Sequence, residues 1–230
     1  MPDRQSLALI GLSGVGKSSV GQLLAQRLGL PLYDTDALIV QSEARTIAQI
    51  FAEAGEERFR DLESAALQRA LSNTPCVVST GGGIVLRPEN RALLREHAFV
   101  VWLDAPTATL VARLLSQDEE RPLVGGADPA GRMEALRAAR AGVYAEVAHV
   151  SLNTAGRRVE EIAAQILQLF TAASIETDRL IGQNWSAIRQ AARTFLSQPQ
   201  PDAFEQAVSL YAHPAWEVRS FALALLGGLA

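Results

Sequence analysis

Cysteine is nearly missing from this chain: Cys76 stands alone among 230 residues. One thiol cannot close an internal disulfide. Cys76, set in an apolar run, reads as a small core residue in a reducing compartment. Excess basic charge is missing too, with 21 Lys and Arg against 25 Asp and Glu and a net charge of −4. The basic residues do not cluster, so neither nucleic acid nor a membrane surface is an expected partner. No apolar run reaches the ~20 residues that a membrane span requires. The N-terminus runs into a glycine loop too soon to leave room for a signal peptide. The expectation is a soluble, cytoplasmic protein. What is present, 48% apolar and 20% charged residues, is ordinary for a globular chain of one large or two small domains.

The most informative stretch is Gly11-Leu12-Ser13-Gly14-Val15-Gly16-Lys17-Ser18-Ser19, which fits G-x-x-x-x-G-K-[ST], the phosphate-cradling loop. Its glycines permit positive φ and let consecutive backbone N–H groups turn inward around a phosphate chain. Lys17 suits the β- and γ-phosphates, and the Ser18 hydroxyl suits Mg²⁺. Context agrees. Ser6 to Ile10 reads as a short apolar strand, and Lys17 to Leu28 as a helix whose N-terminus faces the anion.

Further along, Leu32-Tyr33 is a short strand that delivers Asp34-Thr35-Asp36 to its carboxyl end, the ligand-binding edge of an open parallel sheet. If the strand conformation continues, Asp34 and Asp36 point to different sides, one to a metal and the other to an acceptor. A solvated loop with an Asp helix cap is the alternative. Ala37 to Ala54 reads as helix with a break near Glu43 to Thr46; Gly55 interrupts, and Glu56 to Leu71 follows as a second helix. Phe59, Leu62, Ala66, Leu67, Ala70 and Leu71 form its apolar stripe. Arg60 and Glu63, one turn apart, read by themselves as a surface i,i+3 ion pair. Cys76 to Ser79 is a buried strand, and Thr80-Gly81-Gly82-Gly83 behind it lets a ligand approach the backbone. A helix from Pro88, a strand Phe99 to Leu103 and a helix from Pro106 to Leu115 come next. Ser116 to Gly131, polar and aperiodic, reads as a flap; helix resumes near Arg132 and runs to Ala145. A strand Val150 to Leu152 and a helix Arg158 to Phe170 close the alternation. Five strand–helix alternations predict an α/β fold, a five-stranded parallel sheet with helices on both faces.

Beyond about Ala172 the alternation stops. Thr177 to Leu196, Ala203 to Ala212 and Ala215 to Leu229 read as three helices, a small all-α tail. The expected domains are 1–172 and 173–230. The last tail helix resembles one helix of a HEAT-type repeat, and the chain ends apolar; the two alternatives are that it belongs to something longer and that it docks on the first domain.

The phosphate loop, Asp34-x-Asp36, Phe59-Arg60-x-x-Glu63, Gly81-Gly82-Gly83, Arg121-Pro122-Leu123 and Arg140-x-x-x-Tyr144 occur in the order seen in shikimate kinases. Residues 5 to 170 resemble that family. The resemblance implies a P-loop kinase that transfers the ATP γ-phosphoryl to a hydroxyl of shikimate, giving shikimate 3-phosphate, with Mg²⁺ as cofactor. It implies that Gly14, Val15, Gly16, Lys17, Ser18 and Ser19 bind ATP with Arg121 and Arg157, the last near the adenine. Ser18 and Asp34 would hold Mg²⁺, the latter through water. Asp36, Arg60, Gly81, Gly82, Gly83 and Arg140 would bind shikimate, the two arginines clamping its carboxylate. Lys17, Asp36 and Arg121 would be catalytic, Asp36 as base or as orienting residue. The family's proline-leucine before the tyrosine is Gly142-Val143 here, which would loosen Arg140. The family's adenine-stacking arginine falls at Arg113 only with one residue inserted. Two other readings stay open: a kinase for another small hydroxylated acid, and a kinase-like binding module whose tail engages a partner protein.

Overall fold

The computed structural model describes residues 6–72, 75–115 and 128–171. Of the expected flap, residues 116–127 with Arg121 lie outside the described residues, as do the three expected tail helices and the HEAT-like segment.

Five strands form one parallel sheet in the order β2-β3-β1-β4-β5. They are β1 (Ser6–Ile10), β2 (Leu32–Asp34), β3 (Val77–Ser79), β4 (Ala98–Asp104) and β5 (Val150–Asn153). The first strand is central, with Leu7 opposite Val77 on one side and Phe99 on the other. Every residue of β1 is buried, so both sheet faces are covered there, as the unbroken apolar run Leu7–Ile10 requires. The covering helices are α1 (Lys17–Leu28), α2 (Thr35–Glu43), α3 (Ile47–Leu71), α4 (Pro88–His97), α5 (Thr107–Leu115), α6 (Pro129–Val147) and α7, over 159–171.

The helix ends follow local chemistry. Gly29 stops α1 in the left-handed conformation, φ 65°. Thr46 and Gln49 close a capping box at the start of α3. Gly55, at φ 79° and ψ 174°, kinks α3 where the sequence predicts an interruption. Two expectations need correcting. The strand β2 does not continue past Asp34: Asp36 lies in the first turn of α2, and the Asp34 side chain caps that helix. The helix α6 begins at Pro129, three residues before the expected Arg132, because the Asp128 side chain accepts from Gly131 N and Pro129 occupies the first turn.

The consequence for a ligand is geometric. The loop after β1, the Asp34–Asp36 turn after β2 and the glycines after β3 all leave the carboxyl edge of neighbouring strands.

Candidate active site

The phosphate loop turns through positive φ at Gly11, Gly14 and Gly16, a path that residues with a Cβ rarely follow. Gly16 precedes α1, and no side chain caps that helix. Its first N–H groups are therefore available to an anion. The Lys17 ammonium folds back along the loop and donates to the carbonyls of Gly11 and Leu12, both at 2.8 Å. Val15 is buried, so only its backbone can serve a ligand, whereas Ser18 and Ser19 are exposed. Ser18 Oγ donates to Asp34 Oδ2 at 2.9 Å, and its oxygen lies 3.4 Å from Ser79 Oγ. The other Asp34 oxygen accepts from Asp36 N at 3.1 Å and Ala37 N at 3.3 Å. Helix capping thus fixes a carboxylate beside the loop serine.

Sequence reasoning left Arg113 unplaced. Its Nη1 donates to Gly14 O at 3.2 Å and Thr154 Oγ1 at 3.1 Å, and its Nη2 to Thr154 O at 2.9 Å. Thr154 N in turn donates to Asp104 O at 2.8 Å. The arginine ties the phosphate loop to the turn after β5. Arg157 lies in that turn, with Nη1 3.4 Å from Asn153 O.

The second half of the site grows from α3 and the glycines after β3. Arg60 and Glu63 form an ion pair, and Glu56 reaches Arg60 Nη2 at 2.7 Å. The sequence reading of a surface pair is overturned: the Glu63 side chain is 1% exposed and that of Arg60 7%. The cover comes from the glycine loop. A Cβ on Gly81 would come within 2.5 Å of Glu63 Oε1 and 2.7 Å of Asp36 Oδ1, and one on Gly83 within 2.0 Å of an Arg60 nitrogen. Only glycine leaves room for these side chains, so Asp36, Arg60 and Glu63 converge on one loop. Burial pushes the Glu63 carboxyl above the ordinary carboxylate range, against the pull of Arg60, and the neighbouring Asp36 charge pushes the same way. Gly81 N is fixed by donating to the buried Thr35 hydroxyl at 2.8 Å.

Helix α6 supplies the remaining wall. Arg140 Nη1 donates to Gly82 O at 2.9 Å, and the Tyr144 hydroxyl donates to the same oxygen at 2.5 Å. The helix passes through Gly142 without a break, so the Gly142-Val143 substitution does not release Arg140. A Cβ on Gly82 would lie 3.5 Å from Gly11 O, 3.6 Å from Ser13 N and 3.7 Å from Arg140 Nη1. Gly82 therefore stands between the phosphate loop and the arginine wall. The fold brings Lys17, Ser18, Asp34, Asp36, Arg60, Gly81, Gly82, Gly83 and Arg140 to one edge of the sheet. Arg157 stands apart from them, linked through Thr154 and Arg113.

A parallel sheet with a phosphate loop after its central strand, and a cluster of arginines and carboxylates across from that loop, defines a P-loop kinase fold. The chain belongs to the shikimate kinase family, whose family model, described as "Shikimate kinase", matches residues 13–171. It is 48% identical over 164 residues to the shikimate kinase of Symbiobacterium thermophilum, spanning 71% of this chain and 94% of that protein. The shikimate kinase of Geobacter metallireducens is 45% identical over 162 residues, 70% of this chain and 89% of its own length. Among solved structures, a shikimate kinase from Acinetobacter baumannii in complex with shikimate superposes with a TM-score of 0.71 at 33% identity, covering 74% of this chain and 94% of that one. Among the described residues, no helix is long and apolar enough to cross a membrane.

Proposed function

We infer that this chain is a shikimate kinase, transferring the γ-phosphoryl of ATP to a ring hydroxyl of shikimate to give shikimate 3-phosphate. The observation that carries the reading is the position of Gly82, in contact range of the loop backbone at Gly11 and Ser13 on one side and of Arg140 on the other. An acceptor held by the arginines there would lie beside a phosphate held by the loop.

In the reaction, a bond forms between the acceptor oxygen and the γ-phosphorus as the bond to the β,γ-bridging oxygen breaks. The hydroxyl proton passes to the Asp36 carboxylate, or to water if Asp36 only orients the hydroxyl, and the electron pair of the broken bond goes to the terminal oxygen of ADP. The protein supplies positioning and charge neutralisation. Gly14 to Ser19 bind the triphosphate through backbone N–H groups, and Lys17 leaves its loop carbonyls for the β- and γ-phosphates. Arg60 and Arg140 take the acceptor carboxylate, a task suited to forked guanidinium groups. Gly81, Gly82 and Gly83 line the acceptor through backbone, and Asp36 contacts the attacking hydroxyl. The family motif Arg121-Pro122-Leu123 supports Arg121 on the transferring phosphate, and the position of Arg157 after β5 supports a place near the adenine.

Ser18 and Asp34, a hydroxyl and a carboxylate oxygen 2.9 Å apart at the loop, are hard oxygen donors of the kind Mg²⁺ takes together with substrate phosphates. When bound, Mg²⁺ would neutralise phosphate charge. The family match ends at residue 171, which supports 1–172 as the catalytic domain and 173–230 as a separate extension. The family's soluble enzymes support a cytoplasmic location.

A coupled ADP-release assay tests the assignment. Shikimate-dependent turnover is expected, and Lys17→Ala should lower kcat by at least ~100-fold, the scale for losing one preorganised charge donor. Shikimate binding without turnover would instead identify a sensor. Turnover only with another hydroxylated acid would move the substrate.

A further inference from the structure

Two side chains of α6, one helical turn apart, end on a single oxygen. Arg140 and Tyr144 are i and i+4 on one helix face, and both donate to Gly82 O. A carbonyl oxygen has two lone pairs, so this one is saturated from the α6 side. The Tyr144 side chain reaches it through the core: the residue is 1% exposed, and its ring stacks on Trp102 at 5.7 Å between centroids. The positive charge of Arg140 also acts on the hydroxyl. The Gly82 carbonyl thus ties the arginine and the phenol together.

We propose that Tyr144 is a positioning residue for the acceptor site, its hydroxyl fixing the Gly82 carbonyl and, through it, the orientation in which Arg140 meets the acceptor carboxylate. The proposal rests on the shikimate kinase reading. A bidentate grip on a carboxylate needs the guanidinium held, and a carbonyl that is itself held anchors the arginine better than one free to turn. The phenol suits the task because burial pushes its pKa up to about 12, so the hydroxyl keeps its proton, and its donor role, throughout the neutral range. On the nucleotide side, Lys17 and Arg113 bind other carbonyls.

The test is Tyr144→Phe, which keeps the ring on Trp102 and removes one oxygen. The KM for shikimate should rise about tenfold, the upper range for one net hydrogen bond. The KM for ATP and kcat should stay within about twofold, and the shikimate effect should be flat from pH 6.5 to 9. In an Arg140→Lys background the same substitution should add less than about twofold, because the group it orients is gone. Trp102→Leu disturbs the same ring without touching the hydroxyl; it should lower the thermal midpoint and leave both KM values unchanged. An equal rise in both KM values, a full tenfold effect retained beside Arg140→Lys, or a matching shikimate defect in Trp102→Leu would each overturn the proposal. If the unsubstituted protein neither binds nor phosphorylates shikimate, the kinase reading falls and takes this proposal with it. Normal wild-type turnover with a silent Tyr144→Phe overturns the proposal alone.

Discussion

Removing the Glu63 carboxylate should cost this protein much of its stability, and removing its partner as well should restore most of it. Glu63 is 1% exposed at its side chain and Arg60 7%, so neither charge is well hydrated. In Glu63→Ala the Arg60 guanidinium keeps, of its ion pairs among the described residues, that to Glu56, whose side chain is 58% exposed and a weak, screened partner. Stranding one member of a buried pair costs about 3–5 kcal/mol. At roughly 2–4 °C per kcal/mol for a domain of this size, the thermal midpoint should fall by about 6–20 °C. The double replacement Arg60→Met with Glu63→Leu strands nothing. Apolar residues of similar volume commonly match or exceed a buried ion pair, so the midpoint should return to within a few degrees of the original. The elevated Glu63 carboxyl points the same way, since burial outweighs the attraction of Arg60. Shikimate-dependent turnover should fall sharply in the double variant nonetheless, because the proposed carboxylate clamp loses Arg60. Thermal and urea unfolding of the two variants, with the ADP assay beside them, decide the matter. A loss below about 1 kcal/mol in Glu63→Ala, or a double variant no more stable than the single, would refute the buried-pair reasoning.

Glu63 also sets a pH signature. Its folded carboxyl holds the proton more tightly than the unfolded chain, so its contribution to stability is full below the ordinary carboxylate pKa and is lost as pH rises through the raised folded value. Glu63→Gln, which cannot titrate, should remove that slope from the difference in midpoint between variant and parent across pH 4 to 8; parallel curves would count against it. Asp36→Asn should leave the fold intact and lower kcat by about 10²–10⁴ if the carboxylate accepts the hydroxyl proton. A loss under about tenfold would make Asp36 an orienting residue. Arg113→Met removes the bonds to Gly14 and Thr154 and should raise the KM for ATP at least about tenfold, given about 1.5–3 kcal/mol for a charged hydrogen bond, with the KM for shikimate unchanged. An equal rise for both substrates would make Arg113 a general fold residue.

What the sequence made legible was local. Strand, loop and helix around Lys17 were readable because glycine, lysine and apolar residues there act on their immediate neighbours, and α1 spans Lys17–Leu28 as expected. The kink at Gly55 and the capped start after Thr46 were readable for the same reason. The start of α6 was missed, although Asp128-Pro129 carries the signal of a helix cap with proline behind it. Burial of the Arg60–Glu63 pair was not legible, because i,i+3 spacing is the same on a wet face and a dry one. The cover lies at Gly81 and Gly83, outside the helix altogether. Contacts across the fold were equally hidden: Arg113 meets Gly14 over 99 positions of sequence and Tyr144 meets Gly82 over 62.

The central place of β1 carries a cost during synthesis. It is made before both of its partners, since its neighbours in the chain are not its neighbours in the sheet: Leu7 pairs with Val77, seventy positions on, and with Phe99. At roughly 5–20 residues per second, a ribosome needs about 4–14 s to make the intervening chain. For that interval the apolar segment Leu7–Ile10 has no sheet partner, while α1 and β2 are already formed in sequence. A nascent chain of this protein should therefore bind hydrophobic-segment chaperones through Leu7–Ile10 until β3 and β4 emerge and close the two edges of β1.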